Sequence, residues 1–342
     1  RDRDVTGVQT CALPISLLPE GLTVACRPDA SLLDAALAAG VALPHSCRSG
    51  SCGACRATWV SGAFETPAGS GLGLSDEERA AGALLLCRAR PRSDVTVEVD
   101  LVRAAADVER RRLLCRVVHW QLLSPQVLEI GLKLPAIEPF RWQAGQSVDL
   151  ILADGTRRAY SIASAPASPS PLLLQVARVP NGHMSGALFA LNGPGTLLTL
   201  EGPYGGFDDP SVPPGGTLVL VAGGTGYAPL RSLLLARLAQ GLTEPVRLYF
   251  GARECTDLYA DAELRALAAQ RPHFTYVPVC EQGAASGDVR RGRVTAVVVE
   301  EERDLAATCV VAAGPTAMVT ALAQQLEARG LPRGRFYADA FG

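Results

Sequence analysis

Four cysteines constrain this chain more than any other feature: Cys47, Cys52 and Cys55 are spaced C-x4-C-x2-C, and Cys87 follows at a distance. That is the spacing with which four thiolates hold a [2Fe-2S] cluster. The residues between and just beyond them, Arg48-Ser49-Gly50-Ser51 and Gly53-Ala54, are mostly small, which lets backbone N–H groups come close to bridging sulfides. A structural zinc site is the competing reading. Tetrahedral zinc usually draws on two C-x2-C knuckles, however, and here Cys52 and Cys55 form the only one. With 10 Cys in the whole chain, three further matches at set offsets are hard to reach by accident.

A chain of 342 residues exceeds what one hydrophobic core usually serves, and 48% apolar residues supply enough for two or three. The 34 Gly and 24 Pro are scattered rather than clustered, which excludes a low-complexity chain. A formal net charge of -2 speaks against a nucleic-acid binder, which needs a basic face. The longest apolar stretches, near 217–222 and 296–299, fall far short of the roughly 20 residues that span a bilayer. No membrane partner is expected, the cysteine content without a signal-peptide pattern fits a reduced cytoplasmic setting, and a monomer is expected. Residues 1–16 lack an initiator Met and resemble sequencing-adapter read-through, so they are expected to be a non-native leader.

Three textures follow one another along the chain. Over 17–101, a β-rich run at 21–26 leads to Ser31 and Asp34, spaced as in a capping box, and Gly40 ends the helix between. A strand at 56–60, a short helix after Ser75 with Asp76, Glu77 and Glu78 at its positive end, and alternating Val95, Val97 and Val99 complete this α+β unit. Residues 102–112 (VRAAADVERRR) read as a linker or exposed helix. Over 113–211, short alternating strands such as Leu128, Ile130 and Leu132 against Glu129 and Lys133, separated by Pro and Gly turns, predict an antiparallel β-barrel. Over 212–342, strands at 217–222, 246–250, 274–279 and 308–312 alternate with helices at 230–240 and 261–269, which predicts an α/β parallel sheet.

Several motifs then resemble a known family. PHSCRSGSCGAC, with LLCRARP around Cys87, resembles the ferredoxin (β-grasp) module of oxygenase reductases and deoxysugar reductases. His45 stands where an aromatic is expected in that module, and it is read as packing beside the loop. Arg158-Ala159-Tyr160-Ser161 fits the Arg-x-Tyr-Ser signature of the ferredoxin-NADP reductase family, and residues 140–146 (FRWQAGQ) resemble the strand preceding it. The resemblance covers 113–342. It implies Arg158 on the FAD pyrophosphate, Tyr160 against the isoalloxazine face and Ser161 near N5, chemistry that suits a guanidinium, a ring and a hydroxyl. Gly182-His183-Met184-Ser185 opens a helix whose free N–H groups suit the second side of the pyrophosphate, with Gly182, Met184 and Ser185 as the candidate contacts. Gly202-Pro203-Tyr204-Gly205 resembles the turn that closes the flavin domain.

The nicotinamide signals lie downstream. Gly223-Gly224-Thr225-Gly226 follows directly on a strand and precedes a helix, placing a Gly-rich turn where open parallel sheets bind ligands. A Gly-rich turn also serves backbone geometry alone, and the third Gly of the dinucleotide fingerprint is missing. Gly-x-Gly-x-Ala-Pro is nonetheless what the reductase family shows. Gly251-Ala252-Arg253 and Gly314-Pro315 resemble further family segments lining the nucleotide, although Ala313 stands where many relatives carry Cys. Cys280-Glu281 stands where NADPH-selective relatives carry Ser-Arg. Glu281 is thus either a carboxylate that accepts ribose hydroxyls and repels a 2'-phosphate, or a solvated surface acid. Near the C-terminus, Phe341 either lies over the flavin or completes the core. Cys26, Cys115, Cys255 and Cys309 are read as packing residues.

The resemblance implies an NADH-dependent oxidoreductase, with NADPH as the alternative donor, carrying FAD and a [2Fe-2S] cluster. Tyr160, Ser161 and Phe341 are placed at the reacting flavin. Electrons would leave one at a time to an oxygenase component or a pyridoxamine-dependent dehydratase. A redox sensor holding the same groups with little turnover is the alternative.

Overall fold

The computed structural model describes residues 12–41, 43, 45, 50, 53, 55–67, 74–99, 110–136, 140–166, 171–191, 193–205, 210–284 and 287–341. The chain divides into two compact units, Arg1–Asp107 and Val108–Gly342.

In the first unit a hairpin of β1 (Leu13–Leu18) and β2 (Leu22–Cys26) leads to α1 (Leu32–Ala38), then β3 (Arg56–Ser61), β4 (Phe64–Glu65), α2 (Asp76–Ala80), β5 (Ala83–Leu85), β6 (Arg90–Pro91) and β7 (Val95–Glu98). The main sheet runs β2-β1-β7-β3-β5, with β1 and β7 parallel and the remaining pairs antiparallel. Ile15, Leu17, Leu32, Leu33, Ala36 and Val97 are fully buried in one core beneath α1, the α+β arrangement expected of the β-grasp module. The Ser31 hydroxyl accepts from the Asp34 N–H (3.0 Å) and donates to the Asp34 carboxylate (2.7 Å), fixing the start of α1. Gly40, at φ +79, lies just past its end. At α2 the capping box between Ser75 and Glu78 is complete.

Two domain bounds need correction. The stretch set apart as a leader reaches into β1, where Ile15 pairs with Val24 and Val95. Its inward alternation is two residues long, too short to read without its partners; residues 1–11 lie outside the described residues. The linker ends earlier than expected, because Arg111 and Arg112 pair with Gly202 and Glu201 at the start of a long strand. Their charge suggested a solvated segment, but Arg112 lies on the exposed face of the strand and Arg111, in phase with buried Leu113, is only partly covered at its end, so neither disturbs the backbone pairing. Residues 101–109 lie outside the described residues.

That strand, β8 (Arg111–Ser124), opens the barrel of the second unit, followed by β9 (Val127–Lys133), β10 (Ser147–Ile151), β11 (Arg157–Ser161), β12 (Leu172–Ala177), α3 (His183–Phe189) and β13 (Leu197–Tyr204). The order is β11-β10-β13-β8-β9-β12, every neighbour antiparallel. A bridge between Ile162 and Leu174, with the Ala163 N–H donating to Leu173 O at 2.8 Å, joins the outer strands. Residues 140–146 are an irregular arm rather than a strand: Gly145 turns the chain at φ +86, and the Gln143 N–H donates to Gln146 Oε1 (2.7 Å).

The rest of the unit alternates: β14 (Thr217–Gly223), α4 (Tyr227–Ala239), β15 (Val246–Glu254), α5 (Asp261–Gln270), β16 (Phe274–Gln282), β17 (Arg290–Arg291), α6 (Val294–Glu301), β18 (Thr308–Pro315), α7 (Thr316–Ala328) and β19 (Phe336–Phe341). All six strands are parallel, in the order β17-β16-β15-β14-β18-β19. Leu218, Leu220 and Ala222 share a core with α4 and α5, while Gly223 faces Met318 of α7 and Gly251 faces Val294 of α6. Burial on both faces explains why Val219 to Ala222 read as an unbroken apolar run.

Candidate functional site

In the first unit, sheet pairing sets the backbone at Cys55 beside that at Leu86, next to Cys87. Cys55 and Cys87 are 2% and 8% exposed, and the Leu86 N–H, one residue before Cys87, donates to Cys55 O at 3.0 Å. Cys47, Cys52, Arg48, Ser49, Ser51 and Ala54 lie outside the described residues. Of their loop, Gly50 and Gly53 adopt φ +87 and +74, the left-handed backbone that favours glycine. His45 is buried, its Nδ1 2.7 Å from Leu43 O, which fits a packing role beside the loop. Two buried cysteines whose backbones are neighbours through β3 and β5 are compatible with a shared metal centre.

In the second unit, strand alternation sorts the flavin candidates. Arg158 and Tyr160 share one face of β11; Arg157 and Ser161 share the other. Arg157 is engaged structurally, within 2.8 Å of both Asp149 and Glu201. Arg158 is exposed, and among the described residues its guanidinium donates to Arg157 O (2.8 Å), which leaves N–H groups for a phosphate. Burial, against a smaller pull from Arg158, pushes the Tyr160 phenol up to about 12, so it stays neutral. A partly buried ring beside an open cation suits a flavin and its pyrophosphate.

The α3 candidates divide differently. Met184 is buried in the barrel core, and the Ser185 hydroxyl accepts from the Val179 N–H (3.2 Å). Their side chains therefore serve the fold, and an anion here would meet backbone N–H groups alone. Gly182 caps the helix; a Cβ there would meet Ser185 Oγ at 2.6 Å. Nearby, His183 Nε2 lies 2.6 Å from Asp154 Oδ2. The Thr156 backbone N–H, then His183, pulls the Asp154 carboxyl down to about 2.

The glycines after β14 have two distinct jobs. A Cβ on Gly226 would lie 2.0 Å from Ala313 O, one on Gly314 (φ +144) 2.8 Å from Gly223 O, and one on Gly223 2.6 Å from Met318 Sδ. Gly226 and Gly314 let the chain at the end of β14 lie against β18, and Gly223 leaves room for Met318 of α7. Gly224, at φ +55, meets nothing within 4 Å and opens to space, with Thr225 partly exposed beside it. At the far side of the same strand edge, the β15–β16 register sets Arg253 beside Glu281, both exposed.

The chain end links barrel to sheet. In β19, Asp339, Ala340 and Phe341 pair with Ala313, Gly314 and Pro315, and Asp339 Oδ2 accepts from the Ser161 hydroxyl at 3.0 Å. Ser161 thus reaches β19 two residues before Phe341, which pairs with Pro315 and is partly buried. Sequence reasoning missed Asp339, although an acid on an otherwise apolar terminal strand was a signal. It also missed Tyr259, whose hydroxyl lies 3.2 Å from Gly224 O.

One reading is overturned. Cys255 is not a lone packing residue but is disulfide-bonded to Cys280. The two are separated by 25 positions, and only the pairing of β15 with β16 brings them together. Cys26, Cys115 and Cys309 are buried, as expected of packing residues.

Comparison with known proteins agrees with these three regions. Family models described as "2Fe-2S iron-sulfur cluster binding domain", "Oxidoreductase FAD-binding domain" and "Oxidoreductase NAD-binding domain" match residues 15–92, 114–208 and 220–324. The CDP-6-deoxy-L-threo-D-glycero-4-hexulose-3-dehydrase reductase of Yersinia pestis is 31% identical over 332 residues, 96% of this chain and 98% of that protein. The ferredoxin–NAD(+) reductase component of the alkene monooxygenase system of Xanthobacter autotrophicus is 33% identical over 95% of this chain and 99% of its own length. A crystal structure of an Amycolatopsis cytochrome P450 reductase superposes with a TM-score of 0.78 at 33% identity, covering 96% of this chain and 99% of that one. The chain therefore belongs to the family of reductase components that join a [2Fe-2S] module to FAD- and NAD-binding modules, oxidoreductases that carry electrons from NADH through FAD and the cluster to a redox acceptor.

Proposed function

We propose that flavin and nicotinamide meet where Ser161 of the barrel reaches Asp339 of the last strand. The 3.0 Å bond between them is the observation that carries this reading, because it brings the flavin strand against the Gly314-Pro315 edge of the nucleotide sheet. FAD supplies the conversion between a two-electron hydride donor and one-electron carriers. Arg158 holds its pyrophosphate, Tyr160 offers a neutral ring to its face, and the Ser161 hydroxyl, oriented by Asp339, meets the ring edge where hydrogen is gained. Gly223, Gly224, Thr225, Gly226, Gly314 and Pro315 form the floor for the nicotinamide half, and Phe341 closes the same place. The protein's part is positioning and exclusion of water rather than acid–base chemistry. Cys47, Cys52, Cys55 and Cys87 would hold the cluster, whose chemistry is one-electron transfer.

Glu281, exposed beside Arg253, supports preference for NADH, since a carboxylate repels a 2'-phosphate. Measured kcat/KM for the two nucleotides decides this: NADH should be favoured, E281R should narrow the gap, and a wild-type preference for NADPH contradicts the assignment.

The acceptor is proposed to be a protein, either an oxygenase component or a pyridoxamine-dependent dehydratase. The Xanthobacter relative supports the first and the Yersinia relative the second. Mixing the reductase with one purified acceptor of each kind, and following NADH-dependent turnover, separates them. Both relatives are named as reductases, which supports turnover rather than a sensor's role. A cytoplasmic monomer completes the proposal, tested by gel filtration and cell fractionation; among the described residues no helix is long and apolar enough to cross a membrane.

A further inference from the structure

We propose that Tyr259 is a positioning residue for hydride transfer, its hydroxyl tying the Gly-rich turn to the flavin barrel. The inference rests on the NADH-to-FAD reading above. Tyr259 follows β15, and its hydroxyl reaches two elements at once: Gln175 Oε1 of β12 at 2.8 Å and Gly224 O at 3.2 Å. Gly224 is the glycine of the turn whose face is open to space. Both partners are acceptors, so the one hydroxyl hydrogen is divided between the barrel and the part of the turn a nicotinamide would approach, with the shorter distance to Gln175.

Both ends of this link are held. Gln175 is 4% exposed, and its Nε2 donates to Glu129 Oε2 at 3.4 Å; Glu129 Oε1 lies 3.3 Å from His119 Nε2. A polar chain thus runs from β9 through β12 to the turn. On the sheet side, the Tyr259 ring packs edge-on against Phe250 (5.2 Å between centroids) and Tyr227 (6.3 Å), which fixes its direction. Burial, then the nearby Glu129 and Glu263 carboxylates, pushes the phenol well above its usual range, so it remains a donor throughout the working pH. A second pair of contacts, Ser232 Oγ to Ser164 O (2.7 Å) and Arg231 to Ala163 O (3.1 Å), joins α4 to the segment after β11. Neither touches the turn. Among the described residues, the Tyr259 hydroxyl reaches both Gly224 and the barrel, where the turn lies against β12, and a small shift of that turn would move the nicotinamide relative to the flavin edge, where transfer rates are steep in distance.

The test uses the full chain loaded with FAD and cluster, mixed anaerobically with saturating NADH while flavin absorbance is followed. Y259F keeps the ring and its packing and removes only the hydroxyl. It should slow flavin reduction about 5- to 10-fold, the scale of one neutral hydrogen bond. NADH affinity should change by less than about twofold, and FAD content and Tm should match the wild type. The long-wavelength absorbance of the nucleotide–flavin complex should weaken as well. Q175L should slow reduction similarly, and the double variant should be no slower than Y259F, because both changes break one link. Reduction of Y259F at the wild-type rate, a loss confined to affinity, multiplying single effects, or FAD loss from Y259F each overturns the proposal. If the wild type itself is not reduced by NADH, the reading of the site fails instead, which distinguishes the two.

Discussion

Strand β11 of the barrel and the turn after β14 of the sheet build their parts of the site in opposite ways. On β11 the proposed contacts are side chains, and alternation assigns their faces: Arg158 and Tyr160 to one, Arg157 and Ser161 to the other. At the turn the work is done by missing side chains, and their meaning appears only against β18, almost ninety positions on, where Gly226 meets Ala313 and Gly223 meets Gly314. A residue that contributes an atom can be removed with the fold intact. A residue that contributes a gap cannot be filled without moving a strand.

That contrast can be broken most forcefully at Gly226. Its backbone is an ordinary helical one (φ -60), so alanine strains nothing locally, but the new Cβ would sit 2.0 Å from Ala313 O. G226A should lower stability by about 3 kcal/mol or more, the upper range for overpacking, and abolish NADH-driven reduction. Urea unfolding of the NADH-free protein checks it, and an unchanged midpoint would remove the gap argument. Next in size is R158A, expected to weaken FAD binding about 10- to 100-fold, as for a lost charge-assisted hydrogen bond, with an unchanged unfolding midpoint of the FAD-free protein. Retained FAD would show that this guanidinium is merely exposed. The smallest effect belongs to Gly224, where nothing obstructs a Cβ and only φ +55 opposes it. G224A should cost about 1 kcal/mol. A loss equal to that of G226A would mean the two glycines do one job.

How much was legible in the sequence follows the same division. Whatever is local in the chain could be read: the Ser31 cap on Asp34, the start of α2 after Ser75, the alternation of β9, the apolar strand β14, and the motif on β11. What depends on partners far along the chain was not. Ile15 belongs to β1 because Val24 and Val95 pair with it, and Arg111 and Arg112 belong to β8 because β13 does. Asp339 reaches Ser161 across 178 positions and Tyr259 reaches Gln175 across 84, distances at which no periodicity carries information. Cys255 looked solitary for the same reason. For α3 the correct helix start was legible, but not that Met184 and Ser185 turn their side chains into the protein, since a short helix shows too few turns to assign its inward face.

The most direct test of one electron path from nicotinamide to cluster is an anaerobic NADH titration of the purified, reconstituted chain followed by visible absorbance. With two electrons for the flavin and one for the cluster, both sets of bands should bleach together and be exhausted near about 1.5 NADH per chain. Bleaching that stops near one NADH with the cluster still oxidised, or a protein that holds iron but no flavin, would contradict the account.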